Sequence, residues 1–218
     1  MNCVIFANGD FSLLPNAGTP WRHAELIIAT DGGARHCHLL QLSPHLLIGD
    51  MDSIPPWLLE HLTEQGSEIH RFPCRKDKTD LELAIDLAVE RGAQDILIFG
   101  ALGGRWDMSI AAIMLLTAPA YAGIPLTLRD CSTDICRVHA GEHLIINGNP
   151  GDTLSLIPLV APVRGVTLTG LDYPLTDQDI SVASTRGISN VLSQSRAGVA
   201  LREGILLIIH SKQDEQPG

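Results

Sequence analysis

Five short apolar runs punctuate the chain up to Arg129: CVIFA (3–7), AELIIAT (24–30), HLLIG (45–49), DILIFG (95–100) and PLTLR (125–129). Their hydrophobicity is continuous rather than alternating, which predicts strands buried on both faces. Between them the apolar spacing lengthens to that of a helix. PPWLLEHLTEQG (55–66) opens on proline and closes on glycine, the usual helix asymmetry. TDLELAIDLAVERG (79–92) places Thr79 as an N-cap with Glu82 three residues on, a capping box. Leu81, Ala84, Ile85 and Ala88 then form one apolar face, while Glu82, Asp86 and Glu90 recur every fourth residue on a solvated one. WDMSIAAIMLLTAPAYAG (106–123) reads as a more buried helix. Strands alternating with helices predict an α/β domain with a mainly parallel sheet and flanking helices.

After Cys131 the texture changes. DICRVHAGEHLIINGNPGDTLSLIPL (134–159) is strand, turn, strand, with NGNPGD as the turn signal. VRGVTLTG (163–170) and GVALREGILLIIHS (198–211) continue the β pattern, with period-2 alternation in VTLT. The expected organisation is an α/β domain over residues 1–132 followed by a small all-β sandwich over 133–218. The tail SKQDEQPG is polar and expected to fray.

Charge narrows the function. Asp and Glu total 25 against 15 Lys and Arg, a formal net charge of -10, with no basic block. Such a chain is not built to follow a nucleic-acid backbone. Lysines occur only at 76, 78 and 212, so the segment CRKDKTD holds two of the three. Five scattered cysteines without a CxxC point to reduced thiols. The N-terminal MNCVIFANGD lacks a basic, signal-like start, and the longest apolar region is interrupted at Pro119. A soluble cytoplasmic protein with no membrane partner is expected.

Four polar clusters follow predicted strands or open predicted helices: TDGGA (30–34), GDMDS (49–53), KDKTD (76–80) and GGRWD (103–107). In an open α/β sheet, ligands bind outside the carboxyl ends of the strands, so all four can converge on one edge. If the GDMDS backbone is extended, Asp50 and Asp52 point to the same side. Two close carboxylates repel unless a cation compensates, and Mg²⁺ takes one or two carboxylates plus phosphate oxygens. An Asx turn before the helix at Pro55 explains the same residues without a metal. In KDKTD, Thr79 and Asp80 suit a helix N-terminus, which also welcomes phosphate. In GALGGRWD, glycines allow close backbone approach and Arg105 can pair with a phosphate, or Asp107 simply caps a turn. Neither GxGxxG nor a Walker loop is present, and no GxSxG elbow. His36 and His38 of HCH diverge on a helix and do not share a metal, and Trp21 and Trp57 read as packing residues. The clusters together suit metal-assisted phosphoryl chemistry.

In this order the clusters resemble the thiamine pyrophosphokinase (thiamine diphosphokinase) family along essentially the whole chain. TDGGA is similar to the family's ADGGA, GDMDSI to GDFDS, KDKTDLELAI to its DxTD helix, and GGRWD to GGRxD. SLIPL, GLDYPL and GISN are similar to SLxPL, GLxxPL and GTSN. The resemblance implies a nucleotide-binding catalytic domain, a thiamine-binding β-sandwich and a homodimer with thiamine at the interface. It implies transfer of pyrophosphate from ATP to the thiamine hydroxyl, with Mg²⁺ required. It assigns Asp50, Asp52 and Asp80 to the metal, Asp31, Gly32 and Gly33 to the nucleotide turn, and Lys78, Thr79 and Arg105 to phosphates. Asp107 would complete the acidic cluster, and Ser189 and Asn190 would meet thiamine. The chain departs from the family pattern at Met108, where His is usual, and at Ala112, where Asn is usual. Ile188 stands for Thr, Val191 for a common Glu, and Lys76 for a Gln-like residue. These departures motivate two alternatives: transfer to another alcohol such as a hydroxymethylpterin, and a non-catalytic thiamine or nucleotide sensor.

Overall fold

The computed structural model describes residues 1–11 and 19–213. It divides into two compact units, Met1–Cys131 and Ser132–Gly218. Most of the tail expected to fray (214–218) lies outside the described residues.

Among the described residues the first unit holds six strands, β1 (Asn2–Phe6), β2 (Leu26–Thr30), β3 (Leu46–Gly49), β4 (Glu68–Arg71), β5 (Asp95–Phe99) and β6 (Leu126–Asp130). Their order is β4-β3-β2-β1-β5-β6, and every pairing among them is parallel. β4, with the sequence EIHR, carries no apolar run and was not expected. It is an edge strand whose residues are exposed or half-buried, so hydrophobicity does not mark it. The chain steps outward from β1 to β4 and then returns to the other side of β1. The crevice between the ends of β1 and β5 is therefore the topological switch point, the preferred ligand position in such sheets.

Four helices accompany these strands: α1 (Gly33–Leu39), α2 (Pro56–Glu64), α3 (Asp80–Glu90) and α4 (Trp106–Leu115). Ala34 and Cys37 of α1 and Leu58 and Leu62 of α2 join Val4, Phe6, Ile27, Ala29 and Leu47 in one core cluster. The alternate residues Ile5, Ile28 and Ile48 are also fully buried, so both sheet faces are covered. α3 starts where the capping box places it, with the Thr79 hydroxyl accepting the Glu82 N–H at 3.2 Å. Its predicted face, Leu81, Ala84, Ile85 and Ala88, is buried, and each large side chain contributes about 1.5–3 kcal/mol relative to exposure. α4 differs from expectation. It is apolar nearly all round, yet Trp106, Ile110 and Met114 are exposed along one stripe, with Trp106 83 % accessible. A helix without a polar face cannot bury every side against one sheet. Trp21 is buried as expected, but Trp57 is exposed and lies edge-on to His38.

The second unit is all β, with β7 (Thr133–His139), β8 (His143–Asn147), β9 (Thr153–Thr169), β10 (Leu175–Ile180), β11 (Asn190–Val191), β12 (Arg196–Ala200) and β13 (Glu203–Ser211). Pairings within this unit are antiparallel, so strand pairing over the whole chain is mixed rather than mainly parallel. The physical reason is connection length: short turns allow antiparallel neighbours, whereas parallel ones need a crossover. β9 changes partners along its length. Partners of β13 run from Thr153 to Arg164, and residues from Val163 to Thr169 pair with β10 and β12. Leu154, Leu156, Val166, Leu168, Val199, Leu206 and Ile208 form its core.

Candidate active site

The carboxyl ends of β1, β2 and β5 enclose a cavity of about 290 Å³. Asn8, Gly9 and Asp10 follow β1, Thr30 and Asp31 close β2, and Gly100 to Arg105 follow β5. Asp80 and Leu81 enter from the start of α3, and Met108 from α4. The segment ANGD (7–10) was missed in the sequence, although the rule that picked the other clusters applies to it: polar residues directly after an apolar run.

Glycines set how closely the turns approach. A Cβ on Gly33 would lie 2.0 Å from the Phe6 carbonyl oxygen, and one on Gly32 would lie 1.8 Å from Asn8 Oδ1. Only glycine lets TDGGA pack against the end of β1. Asp31 adopts a left-handed φ of 45° and is buried. Burial pushes its carboxyl up, hydrogen bonding from Ser53 opposes this, and the charges of Asp52 and Asp50 push it up further. The three carboxylates therefore share one electrostatic field.

Asp50 and Asp52 do converge, but not through an extended backbone. Met51 between them has φ 69°, and the Asp52 N–H donates to Asp50 Oδ1 at 3.1 Å. A turn brings the pair together, and Cys74 adds its thiol, so that ligand atoms of all three lie within 4.8 Å of one another. The Cys74 thiol donates to Asp50 Oδ2. This bond, then the Asp52 N–H, and further the Lys76 charge hold the Asp50 carboxyl below its usual range. Two convergent carboxylates fit a hard divalent cation such as Mg²⁺. Asp80 is outside this cluster and lines the cavity instead, where Asp50 and Asp52 are absent from the lining.

The two lysines of KDKTD part company. Lys78 turns along α3 to Asp86 at 2.6 Å and Glu82 at 3.4 Å, and Asp86 also accepts the Tyr121 hydroxyl. Lys76 instead pairs with Asp80 at 2.5 Å. Thr79 spends its hydroxyl on the cap of α3. Arg105 lines the cavity and holds Asp107 through two bonds, at 3.1 and 2.5 Å. The guanidinium is the main reason the Asp107 carboxyl titrates below its usual range. His36 meets the Gly9 carbonyl at 3.1 Å while His38 faces Trp57, so the two imidazoles diverge.

In the second unit, Leu168, Asp172, Tyr173, Arg186 and Asn190 line a separate cavity of about 360 Å³. Asn190 is buried, and its amide is committed: Oδ1 accepts the Tyr173 and Val191 N–H groups, and Nδ2 donates to the Tyr173 carbonyl. It fixes the backbone at the exposed Tyr173 rather than presenting a free amide. Ser189 is exposed, in a left-handed conformation, with its N–H donating to Ser155 Oγ.

A parallel α/β unit with an acidic, glycine-lined cavity at its switch point defines the class of α/β proteins built for phosphate-bearing ligands. Comparison with known proteins sharpens this. Residues 18–128 match the family model "Thiamin pyrophosphokinase, catalytic domain", and 142–206 match "Thiamin pyrophosphokinase, vitamin B1 binding domain". The thiamine pyrophosphokinase of Bacillus subtilis (strain 168) is 33% identical over 207 residues, covering 95% of this chain and 97% of that protein. A crystal structure from Bacillus subtilis superposes with TM-score 0.87 at 31% identity over 98% of this chain and 100% of that one. One from Geobacillus thermodenitrificans gives 0.81 at 32%, over 99% of each. The chain belongs to the thiamine pyrophosphokinase family.

Proposed function

We propose that this chain transfers the pyrophosphoryl group of ATP to the hydroxyl of thiamine, giving thiamine diphosphate and AMP. The hydroxyl oxygen bonds to the β-phosphorus, the bond from that phosphorus to the α,β-bridging oxygen breaks, and the hydroxyl proton is released. The observation that carries the reading is the acidic cavity at the β1/β5 switch point, in a chain whose two units each match a model of this family.

Asp50, Asp52 and Asp80 would hold Mg²⁺, which when bound neutralises charge on the phosphate oxygens. Asp31, Gly32 and Gly33 line the nucleotide turn, where the glycines let the backbone come close. Arg105 offers a planar, bidentate partner for a phosphate. Asp107 holds that guanidinium ready, and the first turn of α3 after Thr79 presents its positive end. Alignment and charge neutralisation are what such a transfer needs most.

Thiamine carries a cationic ring. The cavity of the second unit, inside the segment matching the B1-binding model, offers the Asp172 carboxylate and the Tyr173 ring to a cation. Ser189 stands beside it in sequence, and Asn190 acts by fixing Tyr173. The two partner sets of β9 support reading this unit as a sandwich. A homodimer with the thiamine site at its interface completes the reading, supported by the exposed stripe Trp106, Ile110 and Met114. Among the described residues no helix is long and apolar enough to cross a membrane. The buried free thiols of Cys3 and Cys37 suit a reducing, cytoplasmic setting.

The test is AMP and thiamine diphosphate formation from ATP and Mg²⁺ with thiamine present and absent. Both products should require thiamine. AMP release that needs only a different alcohol, such as a hydroxymethylpterin, would refute the reading.

A further inference from the structure

The segment CRKDKTD supplies two ammonium groups, and the fold sends them to different places. Lys78 is engaged by Asp86 and Glu82 on α3, and it does not line the cavity. Lys76 holds its ammonium over the Phe72 ring, Nζ 5.6 Å from the centroid, and its side chain is only 15 % exposed. Its Nζ sits 2.5 Å from Oδ1 of Asp80, a carboxylate that does line the cavity. The same charge also helps, as the least of several causes, to lower the carboxyl of Asp50, another residue of the proposed cation site. Lys76 therefore stands where its charge meets carboxylates from two different segments, the turn after β3 and the start of α3, held there by a ring contact and an ion pair.

We propose that Lys76, not Lys78, is the lysine that serves the phosphate site, as a positioning residue whose ion pair with Asp80 competes with a divalent cation. This rests on the reading of Asp50, Asp52 and Asp80 as the cation site. The consequence has two signs. An ammonium beside two acidic ligands weakens the binding of a bare divalent cation, because it makes the local potential less negative. Once the cation takes Asp80, the released ammonium is within reach of the phosphate oxygens that arrive with it, and favours the nucleotide. Lys76 thus sets an exchange: one positive charge leaves the carboxylate as two arrive, and the displaced one stays in the site. Being tied by a short, half-buried pair, it is also positioned for this without a long search of rotamers.

The experiment titrates Mn²⁺ alone into the full-length protein, followed by its electron paramagnetic resonance signal, and separately measures the KM for ATP. Lys76→Met should bind Mn²⁺ about two- to fivefold more tightly, the range expected for losing one partly screened ion pair, and should raise the KM for ATP. Lys76→Arg, which keeps the charge, should return Mn²⁺ affinity toward the wild-type value. Lys78→Met should change Mn²⁺ affinity less than about twofold, since its charge is spent on Asp86. If Lys78→Met tightens Mn²⁺ binding and Lys76→Met does not, the assignment is overturned. Asp50→Asn separates the two levels of the argument. If it abolishes Mn²⁺ binding while Lys76→Met is silent, the cation site stands and the role of Lys76 falls. If Mn²⁺ binding is indifferent to Asp50→Asn and Asp80→Asn, both fall together.

Discussion

Asp152 and His210 form a buried pair in the second unit, 1 % and 3 % exposed, with His210 Nε2 3.0 Å from Asp152 Oδ2. The carboxylate also accepts the N–H groups of Asn149 at 2.9 Å and Gln213 at 3.0 Å. Asp152 thereby ties the NGNPGD turn to the end of β13, and its own carbonyl accepts the Leu192 N–H beside β11. Replacing it by Ala strands a buried imidazole and two amide donors. Removing one member of a buried pair costs about 3–5 kcal/mol. Asp152→Asn keeps the shape and some of the bonds, and should lose less. The sign with pH follows from the same contacts. Burial alone would raise the Asp152 carboxyl, but the bonds from Asn149, Gln213 and His210 outweigh it and hold the carboxyl below the usual range. The stability it provides is full above the unfolded value of about 3.9 and is lost as pH falls through the lower folded value. Urea unfolding followed by circular dichroism, at pH 7 and at steps downward from about pH 4, measures both effects. The wild type should lose stability over that acid range more steeply than Asp152→Ala. A variant within about 1 kcal/mol of wild type at pH 7, with an unchanged acid slope, would refute the reasoning.

Three further predictions follow from the first unit. Asp52→Ala and Asp80→Ala should each lower kcat at least about 100-fold, since positioning of a metal supplies several kcal/mol to the transition state; near-normal turnover in both would move the cation site elsewhere. Thr79→Ala removes the acceptor for the Glu82 N–H and should cost about 1 kcal/mol of stability, read as a shift of the urea midpoint with unchanged slope. Trp106→Glu puts a charge in the exposed stripe of α4 and tests the proposed homodimer: sedimentation velocity should show a dimeric wild type and a monomeric variant; a monomeric wild type would refute the dimer, and a dimeric variant would place its interface elsewhere.

Much of the site is legible in the residues themselves. GDMDS, KDKTD and GGRWD stand out because carboxylates, glycines and basic groups follow apolar runs, and a chain has few local reasons to put them there. Periodicity likewise marks α3 with its cap, since helix geometry is local and each contact spans only three or four residues. What local pattern does not reach is strand order. That β1 and β5 are neighbours depends on pairing across some ninety residues, so the switch point was invisible, although ANGD itself follows an apolar run like the other clusters. The direction of a side chain is equally non-local. Lys76 and Lys78 are two residues apart and chemically identical, yet one meets Asp80 and the other Asp86. That the Asn190 amide bonds to the backbone of Tyr173, seventeen residues away, is likewise set by the fold. Sequence alone determined which segments become capped helices and buried strands, and it nominated the residues proposed to carry chemistry, because both are written in residue type and spacing. Tertiary structure decided which of those residues face one cavity, because that depends on the path of the chain between them.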